Sequence, residues 1–482
     1  MRGPSVVVSL VVAALVASVV TVSSLAFALA PATARAEAKT PSKWDPRVEE
    51  FVRFVERDRD LEFEHPVRVA FLGSAAFLEE LNKGSEPTKQ ERADAERDAA
   101  QLRALGMIGA DVDLIDAAGA LDDTGTVGFY DSETEELFVR GSDLTDTDVR
   151  VTVVHELTHA LQDQHFDLDR LDSRTRDSGG DFALVALIEG DATIVEDDYI
   201  NSLPEAEQDE YFASFDEPLV PDDAVDDAVD DAPVLAAIDA APYDFGYQFV
   251  ASAIADRGPG AVDSLFRRLP TTEEQIVDPI AGSEAPLTVA VPKLANGEKR
   301  DGGADVFGAY SLYLMLAARI EVGQALAAST GWGGDHYRAF TRDGTECVRL
   351  AVRGDTTVDT AELGDALDQW AAALPEGGAT VERGGLVVTA TACDVGGATA
   401  PDTLRIDDAT SLLYGRNDLT RLLVEEGAPR EVARCAAAGM ARDPELLEWA
   451  YAEELTDEQQ AVVQARVAGF VEQCRGGNDV PA

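Results

Sequence analysis

Apolar and polar positions divide the chain into helical and extended stretches. Val67-Arg68-Val69-Ala70-Phe71-Leu72 alternates and reads as a strand. Before it, Trp44, Val48, Phe51, Val52 and Val55 recur at helical spacing, so 37–64 reads as a linker followed by a helix. A charged helix is expected over 86–105, ending near Gly106. Two β-prone runs, 127–130 and 137–140, flank the polar turn 131–136 and predict a hairpin. Asp146 or Asp148 can cap the next helix, where Val151, Val154, Leu157 and Leu161 line one face. Asp181 opens another apolar helix that runs to Ile200, and helices resume around 240–268 and 305–328. Residues 346–394 have strand, helix and strand character around a helix at 360–373. Residues 405–474 read as a helical module, with helices near 417–425, 429–440, 443–453 and 456–474.

At 482 residues the chain is long enough for two or three domains. The pattern predicts an α+β protein, with a large first domain over 65–345, a small α/β segment over 346–400 and a helical module over 401–482. Within the first, the acidic, Pro-containing stretch 203–233 reads as a mobile surface loop, with a low-complexity Asp-rich piece at 222–231. The formal net charge is −52, from 91 acidic and 39 basic residues. Such a surface repels nucleic-acid phosphates and anionic lipid heads, so neither is expected as a partner.

The N-terminus reads as a targeting segment over 1–36. Arg2 supplies a positive start, residues 6–30 are almost uninterruptedly apolar or small, and Ala34-Arg35-Ala36 follows Pro31 as a small-x-small cleavage site. The apolar run is also long enough to span a bilayer, so an uncleaved anchor is the alternative. Either reading places the rest outside the cytoplasm, secreted or held at the outer face of the membrane. The four cysteines, Cys347, Cys393, Cys435 and Cys474, lie in the last third. An even number in an exported chain favours disulfides, and sequential pairing closes each within one module. Buried free thiols are the other possibility.

Only five histidines are present, and three fall within eleven residues: His155, His159 and His165. His155-Glu156-Leu157-Thr158-His159 matches H-E-x-x-H. Two histidines four apart on a helix share a face and can grip one ion, while Glu156 stands beside them as a base for water. This arrangement resembles the zincin metallopeptidases, in which a sheet precedes the active-site helix and an edge strand holds an extended substrate. The resemblance implies a zincin-like catalytic domain over 65–345 with a small mixed sheet and active-site helices, Zn2+, peptide or protein as substrate, and hydrolysis with Glu156 as general base.

The third ligand is open on the sequence. His165 stands at metzincin spacing, but Gln162 occupies the position of the glycine that would turn the chain back. If the helix continues, His165 is rotated about 280° from His155. Glu189, in Ala186-Leu187-Ile188-Glu189-Gly190-Asp191-Ala192 on the next apolar helix, fits the gluzincin branch and resembles exported bacterial metallopeptidases. Asp191 and Asp181 are further candidates. For an oxyanion donor the sequence offers His336 or Tyr337, in a Gly-rich turn at 331–337, and Tyr130 on the hairpin. Asp163 and Asp191 are candidates to orient the histidines, and the hairpin 128–140 is the candidate substrate-binding edge. A non-catalytic zinc-binding surface protein and a cell-wall peptide amidase are the competing readings. Whether 37–64 acts as an inhibitory pro-segment is not determined by the sequence.

Overall fold

The structure is a computed structural model. It describes residues 41–475 except 82, 84–86, 126, 142, 176–179, 215–231, 280–284, 442, 444–445 and 447–455. The expected targeting segment and the Asp-rich piece 222–231 lie outside the described residues. The rest forms two compact units, one of residues 41–99 and 112–271 and the other of 100–111 and 272–475.

The first unit begins with α1 (Glu49–Arg59), β1 (Arg68–Leu72), α2 (Ser74–Leu81) and α3 (Lys89–Leu105), of which residues 100–105 belong to the second unit. It continues with α4 (Leu114–Gly125), β2 (Gly128–Asp131) and β3 (Glu136–Arg140). The long helices α5 (Thr147–Phe166) and α7 (Asp181–Ser202) flank the short α6 (Leu168–Thr175). Then come α8 (Glu205–Ser214), α9 (Pro233–Arg257) and α10 (Ala261–Arg267). Residues 203–233 are therefore not wholly loop: 205–214 carry enough consecutive helix formers to wind into α8.

The hairpin forms where the pattern placed it, with Phe129 opposite Phe138. β1 pairs in parallel with β3, so the sheet order is β1-β3-β2 and the sheet is mixed. This corrects one expectation. β3 is paired on both sides, and of the hairpin only β2 has an outer edge among the described residues.

α5 is the centre of the unit. Asp146 caps it through Asp148 N–H, and every residue from Val151 to Gln162 is buried. The sequence pattern suggested one apolar face, but α5 is covered all round: α1 and the sheet share its core cluster, which joins Phe51 and Val55 to Leu137, Val154 and Leu157. A helix so enclosed can carry polar residues only if each finds a partner.

The second unit contains α11 (Glu273–Val277), β4 (Glu298–Arg300), α12 (Ala309–Ala317), α13 (Val322–Thr330), β5 (Trp332–Arg342) and β6 (Thr345–Gly354). It continues through α14 (Thr357–Ala373), β7 (Ala379–Gly384) and β8 (Val387–Cys393). The strands form an antiparallel sheet in the order β4-β5-β6-β8-β7. The sheet crosses the boundary drawn at 345/346, because the left-handed pair Asp343-Gly344 turns β5 tightly into β6. Residues 332–337, expected as a turn, are the bulged start of β5.

The helical module is α15 (Thr403–Glu425), α16 (Arg430–Met440) and α17 (Asp457–Arg475), with Leu419, Ala433, Met440 and Val463 in its core. Most of the helix expected at 443–453 lies outside the described residues. Disulfides join Cys347 to Cys393 between the paired strands β6 and β8, and Cys435 to Cys474 between α16 and α17. This is the sequential pairing, and it fits an oxidising compartment. No described helix is long and apolar enough to cross a membrane.

Candidate metal centre

α5 runs without interruption past Gln162 to Phe166, so His155 and His159 share a face and His165 does not. The rings of His155 and His159 stand edge to face, 4.7 Å apart. Glu189 of α7 projects between them. Its Oε2 is 3.2 Å from His155 Nε2 and 3.5 Å from His159 Nε2. Among the described residues these three form the group able to hold a metal ion, and all three are buried.

Each histidine is oriented by its other nitrogen. His155 Nδ1 lies 2.8 Å from Glu196 Oε2, and the second oxygen of Glu196 accepts from the Tyr211 hydroxyl at 3.0 Å. A carboxylate only accepts, so Nδ1 of His155 carries a proton towards Glu196, while Nε2 faces Glu189 and has its lone pair for a cation held between them. His159 Nδ1 lies 2.9 Å from Gln162 Oε1. The amide group of Gln162 donates to Ile188 O and Asp191 Oδ2, which fixes its carbonyl towards His159. His159 therefore also presents Nε2.

Two imidazole nitrogens and a carboxylate oxygen thus converge at a buried point. Two observations favour a cation there. First, the donor atoms of a tetrahedral zinc, with bonds of about 2.1 Å, stand about 3.4 Å apart, which matches the 3.2 and 3.5 Å seen here. Second, Glu189 Oε1, His159 Nε2 and Glu156 Oε2 are buried without a hydrogen-bond partner, an arrangement that costs free energy unless something else coordinates them. The residues present fit a metal ion.

The electrostatics agree. Burial opposes charge on His155, yet hydrogen bonds to Glu189 and Glu196 outweigh it and raise its pKa well above the usual value. His159 is raised too, with burial opposed by the charge of Glu189. Burial acts to raise Glu189, but the two histidines beside it hold it lower. The cluster favours a negative Glu189 and positive charge between the histidines, which a metal ion supplies with neutral imidazoles.

Glu156 lies beside the cluster, buried, and burial raises its pKa. It accepts a hydrogen bond from the Tyr130 backbone N–H on the outer edge of β2. β2 comes this close because residue 128 is glycine: a Cβ there would stand 2.5 Å from Thr152 Cγ2 and 3.1 Å from Glu156 Cγ. The ring of Tyr243, from α9, lies along that of His155 at 6.4 Å.

The remaining candidates in this unit have other partners. His165 Nε2 donates to the Glu62 carbonyl at 2.9 Å. Asp191 pairs with Gln162 and with Arg59 Nε at 3.0 Å, so it supports His159 indirectly. Asp163 accepts from the Tyr130 hydroxyl at 3.0 Å and from Leu168 N–H, and touches neither histidine. Burial pushes its carboxyl up to about 6. Asp181 is the first residue of α7, more than two turns from Glu189. His336 and Tyr337 stand on β5 of the other unit, opposite Ala351 and Leu350.

Sequence reading missed Glu196, Tyr211, Tyr243 and the part played by Gln162. Two of these had a signal. Glu196 follows Glu189 by seven residues and Gln162 follows His159 by three, so each lies on the face of its ligand.

A family described as a domain of unknown function (DUF8575) matches residues 295–415. The matched stretch spans β4 to the first half of α15 and includes none of His155, Glu156, His159 and Glu189. No curated protein and no solved structure gives a match.

Proposed function

We propose that the chain is an exported zinc-dependent metallopeptidase of the zincin type, on the gluzincin branch, with His155, His159 and Glu189 as ligands and Glu156 as general base. The observation that carries this reading is the convergence of His155 Nε2, His159 Nε2 and Glu189 Oε2 at zinc-ligand spacing, with Glu156 alongside. The all-nitrogen and oxygen donor set, with two neutral imidazoles and one carboxylate, suits zinc in a catalytic site that keeps an open position.

Zinc bound there supplies a Lewis acid for the scissile carbonyl and acidifies water. Glu156 takes the proton of the attacking water and passes it to the departing amine. A carboxyl whose pKa burial has raised is suited to both halves of that transfer. The Tyr130 N–H holds Glu156 in place. Glu196 and Gln162 keep both imidazoles in the tautomer that can ligate.

The Tyr130 hydroxyl is bound to Asp163, so the oxyanion role is not given to Tyr130, and His336 and Tyr337 stay the candidates for it. The presence of Glu156 favours an enzyme over a zinc-binding protein that cleaves nothing, because such a protein has no use for a buried carboxylate beside the ligands.

The test is zinc content together with cleavage of an unfolded protein substrate. Wild type should hold one zinc per chain and cleave. Glu156→Gln should hold zinc and lose activity by on the order of 10²- to 10⁴-fold. Absence of zinc, or equal cleavage by both, would refute the proposal.

A further inference from the structure

We infer that Arg59, at the end of the N-terminal helix α1, is a positioning residue for the metal centre, acting through Asp191 and Gln162 on His159. The inference rests on the metal-binding reading above and concerns how that site is held.

The chain of contacts is continuous and buried. Arg59 Nε pairs with Asp191 Oδ1 at 3.0 Å, and the Arg59 and Asp191 side chains are 6% and 1% exposed. The other oxygen of Asp191 accepts from Gln162 Nε2 at 2.8 Å, and Gln162 Oε1 faces His159 Nδ1 at 2.9 Å. Arg59 also reaches Asp263 of α10 at 3.3 Å.

Each link sets the next by its chemistry. A primary amide can present either its N–H groups or its oxygen to a neighbour. Gln162 presents oxygen to His159 because two acceptors, Asp191 and Ile188 O, hold its N–H groups on the other side. Asp191 turns Oδ2 to Gln162 because Arg59 Nε holds its other oxygen, Oδ1, at 3.0 Å. Without Arg59 nothing on that side fixes the carboxylate, and its Oδ2 is no longer held towards the Gln162 amide. The amide is then free to turn over and point N–H at His159 Nδ1. That favours the tautomer with its proton on Nε2, which cannot ligate.

The segment that carries Arg59 is thereby part of the catalytic unit. α1 also places Phe51, Val52 and Val55 in the same core cluster as Val151, Val154 and Leu157 of α5. An inhibitory pro-segment would have to be removable without harm to the site. A helix that supplies both core and the counter-charge behind a ligand is not.

The experiment uses the full chain and measures zinc affinity by competition with a chelator, together with the 15N shifts of His159, which report its tautomer. Arg59→Met should weaken zinc about 10- to 100-fold, the usual range for loss of a supporting partner, and shift His159 towards Nε2–H. Arg59→Lys, which keeps the charge, should recover part of the affinity. Arg53→Met, an exposed arginine on the same helix, should bind as wild type. If Arg59→Met fails to fold, Arg59→Met/Asp191→Leu removes both buried charges and should fold while binding zinc weakly. Wild-type affinity and an unchanged tautomer in either folded variant would overturn the inference. Failure of the wild-type chain itself to bind zinc would instead overturn the metal reading on which it stands.

Discussion

Gly190 and Gly246 meet backbone to backbone where α7 crosses α9. A Cβ on Gly190 would stand 2.2 Å from the Gly246 carbonyl, and one on Gly246 would stand 2.1 Å from Ala186 O. Contacts this short leave no room for a methyl group, and they fall one residue from Glu189. The crossing therefore sets how far Glu189 reaches towards the histidines. Gly246→Ala should force the helices apart, cost about 1–3 kcal/mol by overpacking, and lower zinc affinity although residue 246 touches no ligand. Denaturant unfolding and zinc titration of the same variant check both parts.

Glu196 should matter to His155 as a second partner does to any metal-bound histidine. Glu196→Ala leaves His155 Nδ1 without its carboxylate and should reduce zinc affinity about 10- to 100-fold. Tyr211→Phe removes only the hydroxyl that steadies Glu196, and its effect should be the smaller of the two. The order of the two dissociation constants is the readout.

Away from the site, Glu298 offers a pH test of the second unit. Hydrogen bonds from Arg349 hold its carboxyl down at about 2, with Arg342 also paired to it. The folded pKa is below the unfolded one, so the pair stabilises the unit fully above about pH 4.5 and the contribution is lost as the pH falls towards 2. Glu298→Gln should therefore melt lower than wild type near neutral pH, and the gap should close between pH 4.5 and 2. A gap that is independent of pH would show that the ion pair does not carry the difference.

The disulfide between Cys435 and Cys474 closes a stretch of 39 residues in the helical module. Replacing both cysteines by alanine should cost about 2–4 kcal/mol of that module's stability, read from its unfolding transition, with zinc affinity of the first unit unchanged.

The sequence made visible what depends on local spacing. Four-residue separation put His155 and His159 on one helical face. Gln162, in place of a glycine, argued that the helix continues, and α5 does continue to Phe166. The hairpin was legible because its two β-prone runs are adjacent. What it hid depends on distant pairing. Nothing in Val67 to Leu72 says that β1 joins β3 in parallel and so makes β3 an interior strand. The link from Arg59 to Asp191 spans well over a hundred positions, and an arginine at the end of an amphipathic helix reads as a surface residue. The placement of β5 failed for a different reason: its glycines suggest a turn, and they are tolerated in a strand because Gly333 and Gly334 pass close to the backbone of Gly354 and Leu287.

The most direct measurement is the zinc affinity of the full chain compared with Glu189→Ala and His165→Ala. The account predicts one zinc bound to wild type, near-complete loss in Glu189→Ala, and unchanged binding in His165→Ala, whose side chain is turned to the Glu62 carbonyl. No zinc in the wild-type chain, or loss of zinc in His165→Ala with Glu189→Ala unaffected, would contradict it.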